Sequence, residues 1–393
     1  MGRDFCFVHC ADLHLGSRFK GLGMSNSDLA DRMRRSVMDS FERIVDSAID
    51  NRADALIISG DIYDDANELP STRMWFAGQL SRAGIPVFIC RGNHDSSASW
   101  DQAIPYPANV HEFGTEAERI EINDWVEIVG ISYSEPHEKR NLAKLLSGDP
   151  SKFTIACLHC DIDTASEGYP YAPCSMADLS GRGVDYWALG HIHKGGILST
   201  RPYVVYPGNI QGRSFKETGK KGAYLVKVSD MNVVSADLIP TQTYIWENLT
   251  ADITGKTIED VLAELKEKTG RNVICRLTFI GHGDLDRMLR SSSDDVAMMI
   301  SERLGCIVSD ISVKTTSTAD LDSLVGRKDM PAAVAERGLA VRDLGRDDII
   351  DIICENKMAA KYRNYYEGMS DEELRSLVMD SIYEVLARME AVR

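Results

Sequence analysis

Seven side chains able to hold a divalent metal stand at the ends of apolar runs in this sequence. Asp12 and His14 follow the run at 5–11, Asp61 the run at 55–59, and Asn93 the run at 85–90. His159 follows 153–158, and His191 and His193 follow 186–189. Asp, His and one amide carbonyl form a borderline-hard donor set. It suits Mn²⁺, Fe²⁺ or Zn²⁺ better than a thiolate-loving metal. Seven donors are too many for one ion and fit two ions that share a carboxylate. A metal pair about 3.5–4 Å apart clamps both oxygens of an in-line phosphoryl displacement, and the water it bridges becomes a nucleophilic hydroxide near neutral pH. Taken singly, an Asp after a strand is most often a turn or cap residue. Five such endings in one chain are hard to explain as packing.

The elements that would position these residues follow from periodicity. An apolar run closed by glycine reads as a buried strand opening into a tight turn. In Gly92-Asn93-His94-Asp95 the glycine lets the backbone turn where a Cβ would clash. That presents three polar residues at the carboxyl end of a strand, the edge where open α/β sheets bind ligands. Between the first two runs Leu29, Met33, Val37, Phe41, Ile44, Val45 and Ala48 recur at helical spacing, predicting a helix over 28–51. A second helix is expected over 71–83, opened by Pro70. The resulting β-α-β-α-β order implies neighbouring parallel strands. Short strands are expected near 110–113, 119–122 and 126–132, a helix near 138–146, and further strands at 203–206, 223–228 and 233–239. The pattern predicts two sheets sharing a core and flanked by helices.

Composition sets the limits. The 393 residues are 44% hydrophobic and 26% charged, ordinary for a folded protein. No apolar run approaches the roughly 20 residues of a membrane span, and the N-terminus shows no signal-peptide pattern, so a cytoplasmic address without membrane attachment is expected. The nine cysteines sit mostly in strand runs and read as small core hydrophobes, Cys157 and Cys160 included. A net charge of −16 argues against nucleic-acid binding through the overall field, but not against an enzyme whose metals supply local positive charge. Eleven of twelve prolines and eight of nine histidines lie at or before Pro240. The expected domains are therefore 1–240, an α+β domain at 241–318 and a helical region at 319–393. In the last, Ser370 and Glu373 fit a capping box. Leu374, Leu377, Val378, Ile382, Val385, Leu386 and Met389 form one stripe, packed on its own chain or against a partner coiled coil.

Asp12-x-His14, Gly60-Asp61, Gly92-Asn93-His94-Asp95, His159 and Gly190-His191-x-His193 resemble the five motifs of the calcineurin-like metallophosphoesterases. The segments 9–16, 185–194 and 206–212 resemble more closely the DNA-repair exonucleases of the SbcD and YhaO type, relatives of the double-strand-break repair nuclease. The resemblance covers residues 4–240 strongly and is only architectural beyond. It implies a four-layer α-β-β-α sandwich of mixed α/β class, with a small capping domain and C-terminal helices that dock an SMC-like ATPase of the SbcC type. A homodimer is also compatible with it. Asp12, His14, Asp61 and His193 would hold one metal; Asp61, Asn93, His159 and His191 would hold the other. Mn²⁺ is the expected ion.

By the same resemblance His94 would act on the scissile phosphate rather than bind metal, paired with the Asp64 carboxylate. His9 falls outside the ligand pattern and reads as a core residue. Arg18, Asn209 and Arg213 are candidate substrate contacts, with Lys20, Lys216, Lys220 and Lys221 adding basic charge; a solvated hairpin face around Glu217 is the bland alternative. Basic groups beside such a site would meet backbone phosphates. The expected activity is two-metal hydrolysis of DNA at ends, exonucleolytic and open to endonucleolytic cleavage. The alternative is a phosphatase or phosphodiesterase of nucleotides or other small phosphoesters.

Overall fold

The computed structural model describes residues 3–17, 27–64, 68–99, 104–163, 171–291, 293–316 and 321–390. The chain divides into two compact units, Met1–Trp246 and Glu247–Arg393.

The first unit opens with β1 (Asp4–Cys10), α1 (Ser27–Asp50), β2 (Ala55–Ser59), α2 (Pro70–Ala83), β3 (Val87–Cys90) and β4 (Val110–Glu112). It continues with β5 (Glu118–Asn123), β6 (Val126–Gly130), β7 (Phe153–His159), the two-residue strands β8 (Asp161–Ile162) and β9 (Pro173–Cys174), and α3 (Met176–Leu179). β10 (Tyr186–Gly190), β11 (Gly196–Thr200), β12 (Tyr203–Tyr206), β13 (Gly222–Ser229) and β14 (Asn232–Pro240) complete it. Two six-stranded sheets result, ordered β14-β13-β1-β2-β3-β4 and β11-β12-β10-β7-β6-β5. In the first, β1 to β4 run parallel, as strand–helix alternation requires. In the second, β12, β10, β7 and β6 run parallel. Antiparallel strands finish the outer sides of these parallel sets.

Side-chain alternation along each strand builds the layers. Phe5, Phe7, Ala55 and Ile57 pack between the sheets against Phe153, Ile155, Cys157, Tyr186 and Ala188. Their neighbours Val8, Cys10, Leu56 and Ile58 face the other way, onto Val37, Phe41, Ile44 and Phe76 of α1 and α2. On the second sheet Ala156, Leu158, Trp187 and Leu189 pack under Leu142, Ala143 and Leu179. The order is helix, sheet, sheet, helix, the mixed α/β sandwich expected. The stripe of α1 is buried from Met33 to Ala48; the Leu29 side chain lies outside the described residues. The helix expected at 138–146 shrinks to a 3-10 turn, Leu142–Leu145. The buried Glu138 carboxylate is held by Ser134 and Arg140, and the Asn141 side chain accepts the Lys144 N–H, so the turn starts only there. All nine cysteines are free.

The division falls after Trp246 rather than Pro240. Gln211 Oε1 accepts the N–H groups of Thr243 and Tyr244 at 2.8 and 3.1 Å, and Trp246 Nε1 donates to Gly212 O at 2.7 Å. These bonds keep 241–246 with the first unit. β15 (Ile245–Asp252) starts two residues before the division and runs into the second unit, whose three-stranded sheet it forms with β16 (Val273–His282) and β17 (Ile307–Thr316), alongside α4 (Ile258–Lys266), α5 (Leu285–Ser291) and α6 (Ser293–Leu304). The unit ends in α7 (Leu321–Leu324), α8 (Met330–Arg342), α9 (Arg346–Cys354), α10 (Arg363–Glu367) and α11 (Asp371–Glu390). Within this unit the His282 ring of β16 stacks on Tyr383 of α11, centroids 4.8 Å apart. The Ser370–Glu373 capping box forms. Leu374, Val378, Ile382 and Leu386 are buried within the unit. Leu377 and Val385, with Val378 and Ile382, line an apolar groove of about 700 Å³ together with Val334, Val341 and Ile353.

Candidate metal centre

The carboxyl ends of β1, β2, β3, β7 and β10 open toward one place. Four of the seven donors hold a backbone that L-residues rarely adopt: φ is 52° at Asp12, 47° at His14, 51° at Asp61 and 102° at His191. Such strain persists only where surrounding bonds over-determine it. Here Asp12 N–H donates to Gly60 O and His14 N–H to Asp61 O, both at 3.0 Å, and His191 N–H donates to the Asp12 carboxylate at 3.1 Å. Two motif glycines are explained by the same crowding. A Cβ on Gly92 would overlap Asp61 Oδ1, and one on Gly190 would overlap Ser59 O.

The donors gather in two groups. Asp12, His14 and His193 bring one ligand atom each within 4.8 Å of one another; Asp12, Asp61 and His159 do the same. His14 Nε2 and His193 Nε2 face each other at 3.0 Å. His193 Nδ1 donates to Glu217 Oε1 at 2.7 Å, so its Nε2 carries a lone pair aimed at that meeting point. His159 Nδ1 donates to Ser59 O at 2.8 Å, which leaves its Nε2 toward Asn93 Oδ1 at 3.2 Å. His191 Nδ1 lies 3.3 Å from the same amide oxygen. Asp61 Oδ2 stands between the groups, 3.9 Å from His14 Nε2 and 3.5 Å from His159 Nε2. Converging imidazole and oxygen donors, with Asp12 common to both groups and Asp61 reaching a histidine of each, fit two divalent ions.

Burial and mutual charge set the protonation of these groups. Burial takes His9 down to about 3 and His14 to about 4, the latter partly offset by Asp64; burial and the His159 charge take His191 to about 3. Burial alone would also lower His159, but the Asp61 charge outweighs it and raises the group to about 9. Asp61 goes the other way: burial is overcome by His159, His14 and His94, and the carboxyl falls well below its usual range. The metal-free protein is thus expected to be most stable near pH 6.5. The His159 contribution is complete below 6.5 and is lost as pH rises through 9. Those of His9, His14 and His191 are complete above 6.5 and are lost as pH falls toward 4. Thermal melts in chelator across pH 4–10 check this; a flat profile from pH 6 to 9 contradicts the His159–Asp61 pairing.

His94 is the exposed member of the constellation. Its N–H donates to Asp61 Oδ1 at 3.0 Å, and its Nδ1 meets the backbone carbonyl of Asp64 at 2.8 Å. The Asp64 carboxylate, His14 and His94 bring one atom each within 4.8 Å of one another, but the hydrogen bond of the His94 ring is to the Asp64 backbone. The peptide oxygen orients the ring, while the carboxylate accepts Arg213 Nη1 at 2.7 Å and lies 3.1 Å from His14 Nδ1.

The remaining expectations divide. Arg18 and Lys20 lie outside the described residues. Asn209 is buried, and its Nδ2 donates to Gln211 O and Glu217 Oε2 at 2.8 Å each, bracing the loop. Arg213 is turned inward onto Asp64 and Glu217. Lys221 is buried and donates to His193 O; Lys216 and Lys220 stay exposed. His9 is a core residue between Tyr186 and Ser59. Sequence reasoning missed Glu217, which faces His193 and not solvent, and Asp95, which accepts the N–H groups of Gly92 and Ile62 at 2.8 Å. The Gly92-x-x-Asp95 spacing of an Asx-type turn could have revealed the second. A lone acid among lysines gave no signal for the first.

Two donor groups at the carboxyl ends of two packed, largely parallel sheets define a dimetal phosphoesterase centre. Residues 6–195 match the family model described as calcineurin-like phosphoesterase. The chain is 30% identical over 408 residues, 95% of each chain, to the uncharacterized metallophosphoesterase YhaO of Bacillus subtilis (strain 168). It belongs to the calcineurin-like phosphoesterase family. It is also similar to the DNA double-strand break repair protein Mre11 of Aeropyrum pernix, 29% identical over 56% of each chain. Mre11 of Saccharolobus solfataricus is 26% identical over 70% of this chain and 74% of the relative. The chain is thus a metal-dependent hydrolase of the phosphoesterase class.

Proposed function

We propose that this chain is a two-metal phosphodiesterase that hydrolyses DNA at ends, as an exonuclease whose site is also open to endonucleolytic cleavage, in DNA repair. The observation that carries the phosphodiester reading is an exposed imidazole, His94, whose ring centroid stands 4.9 Å from that of His14, beside two donor groups that share Asp12. Likeness to proteins named for double-strand break repair supports DNA as the substrate. When bound, a metal pair supplies an acidified water and neutralises phosphate charge.

The chain's own residues supply the rest. Asp12, His14 and His193 would hold one ion, Asn93, His159 and His191 the other, with Asp61 shared. Mn²⁺ is the proposed ion, and Fe²⁺ or Zn²⁺ would satisfy the same donors. The Asp64 carbonyl accepts from His94 Nδ1, so Nδ1 carries the proton and Nε2 is left for the substrate. In its charged form that nitrogen would protonate the leaving oxygen.

An SMC-like ATPase subunit is the proposed partner, seated on the groove that Leu377 and Val385 line. Among the described residues no helix is long and apolar enough to cross a membrane.

The test is purified protein with Mn²⁺ against end-labelled duplex, single-stranded DNA and bis(p-nitrophenyl) phosphate. Cleavage of all three, with loss of label from ends, is the expected result. Cleavage of the diester but of neither DNA favours the small-phosphoester reading. No hydrolysis of any substrate overturns the enzymatic reading.

A further inference from the structure

The two histidines of the first donor group are each backed by a carboxylate. His193 Nδ1 lies 2.7 Å from Glu217 Oε1, and His14 Nδ1 lies 3.1 Å from Asp64 Oδ1. One guanidinium joins the two acids: Arg213 Nη1 donates to Asp64 Oδ1 at 2.7 Å, and Arg213 Nη2 lies 3.5 Å from Glu217 Oε1. With the two Nε2 atoms 3.0 Å apart, these groups form a ring of close contacts from His14 through Asp64, Arg213 and Glu217 to His193, in which the His14–Asp64 link is an ion-pair distance and not an aligned hydrogen bond. Glu217 is fixed from its other oxygen as well, since Oε2 accepts Arg213 N–H at 2.7 Å and Asn209 Nδ2 at 2.8 Å. The second group is built differently. His159 Nδ1 is held by a neutral peptide oxygen, Ser59 O, while His191 Nδ1 points at Asn93 Oδ1, itself one of that group's donors.

We infer that Asp64, Arg213 and Glu217 form a positioning clamp for the first metal site alone. A carboxylate behind an imidazole fixes its tautomer and makes its other nitrogen a better donor; losing such a partner typically costs about 10–100-fold in metal affinity. Two carboxylates side by side would repel and turn outward to water. Arg213 between them cancels that repulsion and keeps both turned onto the histidines. Although Asp64, His14 and His94 also bring one atom each within 4.8 Å of one another, on this inference the three clamp residues are not themselves ligands. They act through His14 and His193, and so make the first site the tighter of the two.

This inference rests on the two-metal reading above, and the test separates the two. Mn²⁺ is titrated into chelator-treated full-length protein, and free Mn²⁺ is followed by its electron paramagnetic resonance signal. Unmodified protein binding fewer than two ions sinks the two-metal reading itself. Given two ions, Glu217→Ala and Asp64→Ala are each expected to weaken the tighter site by about 10–100-fold and leave the other within about 3-fold. The double variant is expected to retain one unperturbed ion, because both acids serve the same site. Asp64→Asn keeps an oxygen for Arg213 and His14 and is expected to recover most of the affinity. It also keeps the test usable if either alanine variant fails to fold. Equal weakening of both sites, no weakening of either, or loss of both ions in the double variant overturns the clamp.

Discussion

Replacing His94 with alanine is expected to lower DNA turnover by about 10²–10⁴-fold, the usual worth of a positioned proton donor, while both ions stay bound. The geometry separates the two effects. The His94 ring is exposed, and its nearest fixed partner is a peptide oxygen, the Asp64 carbonyl at 2.8 Å, not a member of the donor groups. Its backbone N–H to Asp61 Oδ1 survives any side-chain change except proline, so the shared carboxylate stays oriented. The leaving group offers a second reading of the same variant. A nitrophenolate leaves without help, whereas the alkoxide leaving from DNA must be protonated. The loss on bis(p-nitrophenyl) phosphate should therefore be smaller than on DNA if His94 is the acid. Equal losses point to charge stabilisation instead, and collapse of metal content in this variant refutes the division of labour between His94 and the seven donors.

Asp61→Ala is expected to do more, because this carboxylate reaches a histidine of each group. Its Oδ2 lies within 4 Å of the Nε2 atoms of His14 and His159, and its Oδ1 orients the loop that carries Asn93 and His94. Activity should fall to background, and Mn²⁺ binding should drop from two ions to one or none. Stability of the metal-free protein should change too. Asp61 and His159 are both buried, and removing one member of a buried ion pair costs about 3–5 kcal/mol, offset in part by relief of repulsion from Asp12. His159 is held protonated up to about 9 by Asp61, so this cost should shrink as pH rises through 9, where the unmodified protein loses the imidazolium as well. Chemical denaturation in chelator at pH 7 and pH 10 measures it. A variant that binds two ions and melts normally would remove Asp61 from its central place.

Much of the first unit could be read from the order of its residues. The helical stripe from Met33 to Ala48 and the strand runs on either side have a periodicity that few other structures can satisfy, and α1 buries that stripe. The strand ends were legible for the same reason: an apolar run must stop where a polar, hydrated group begins. The limits of the second unit were less legible. The break expected at Pro240 moved to Trp246 because of bonds from Gln211, some thirty residues upstream, which no local pattern reveals. Glu138 likewise looked like the start of a helix, and its burial beside Ser134 and Arg140 prevented one.

The site shows the same division. Residue type and spacing determined which atoms could bind a metal, because Asp, His and Asn donors at strand ends have few other collective uses, and strand polarity determined that they share an edge. Who holds whom was decided by the tertiary fold. Asp64 presents its carbonyl to His94 and its carboxylate to Arg213; Glu217 leaves a run of lysines to bond His193; Asn209 is spent bracing a loop. Such pairings depend on χ angles and on backbone reversals such as the positive φ of Asp12, His14, Asp61 and His191. Those are imposed by contacts between segments far apart in the chain, so local propensity could rank the participants without assigning their partners.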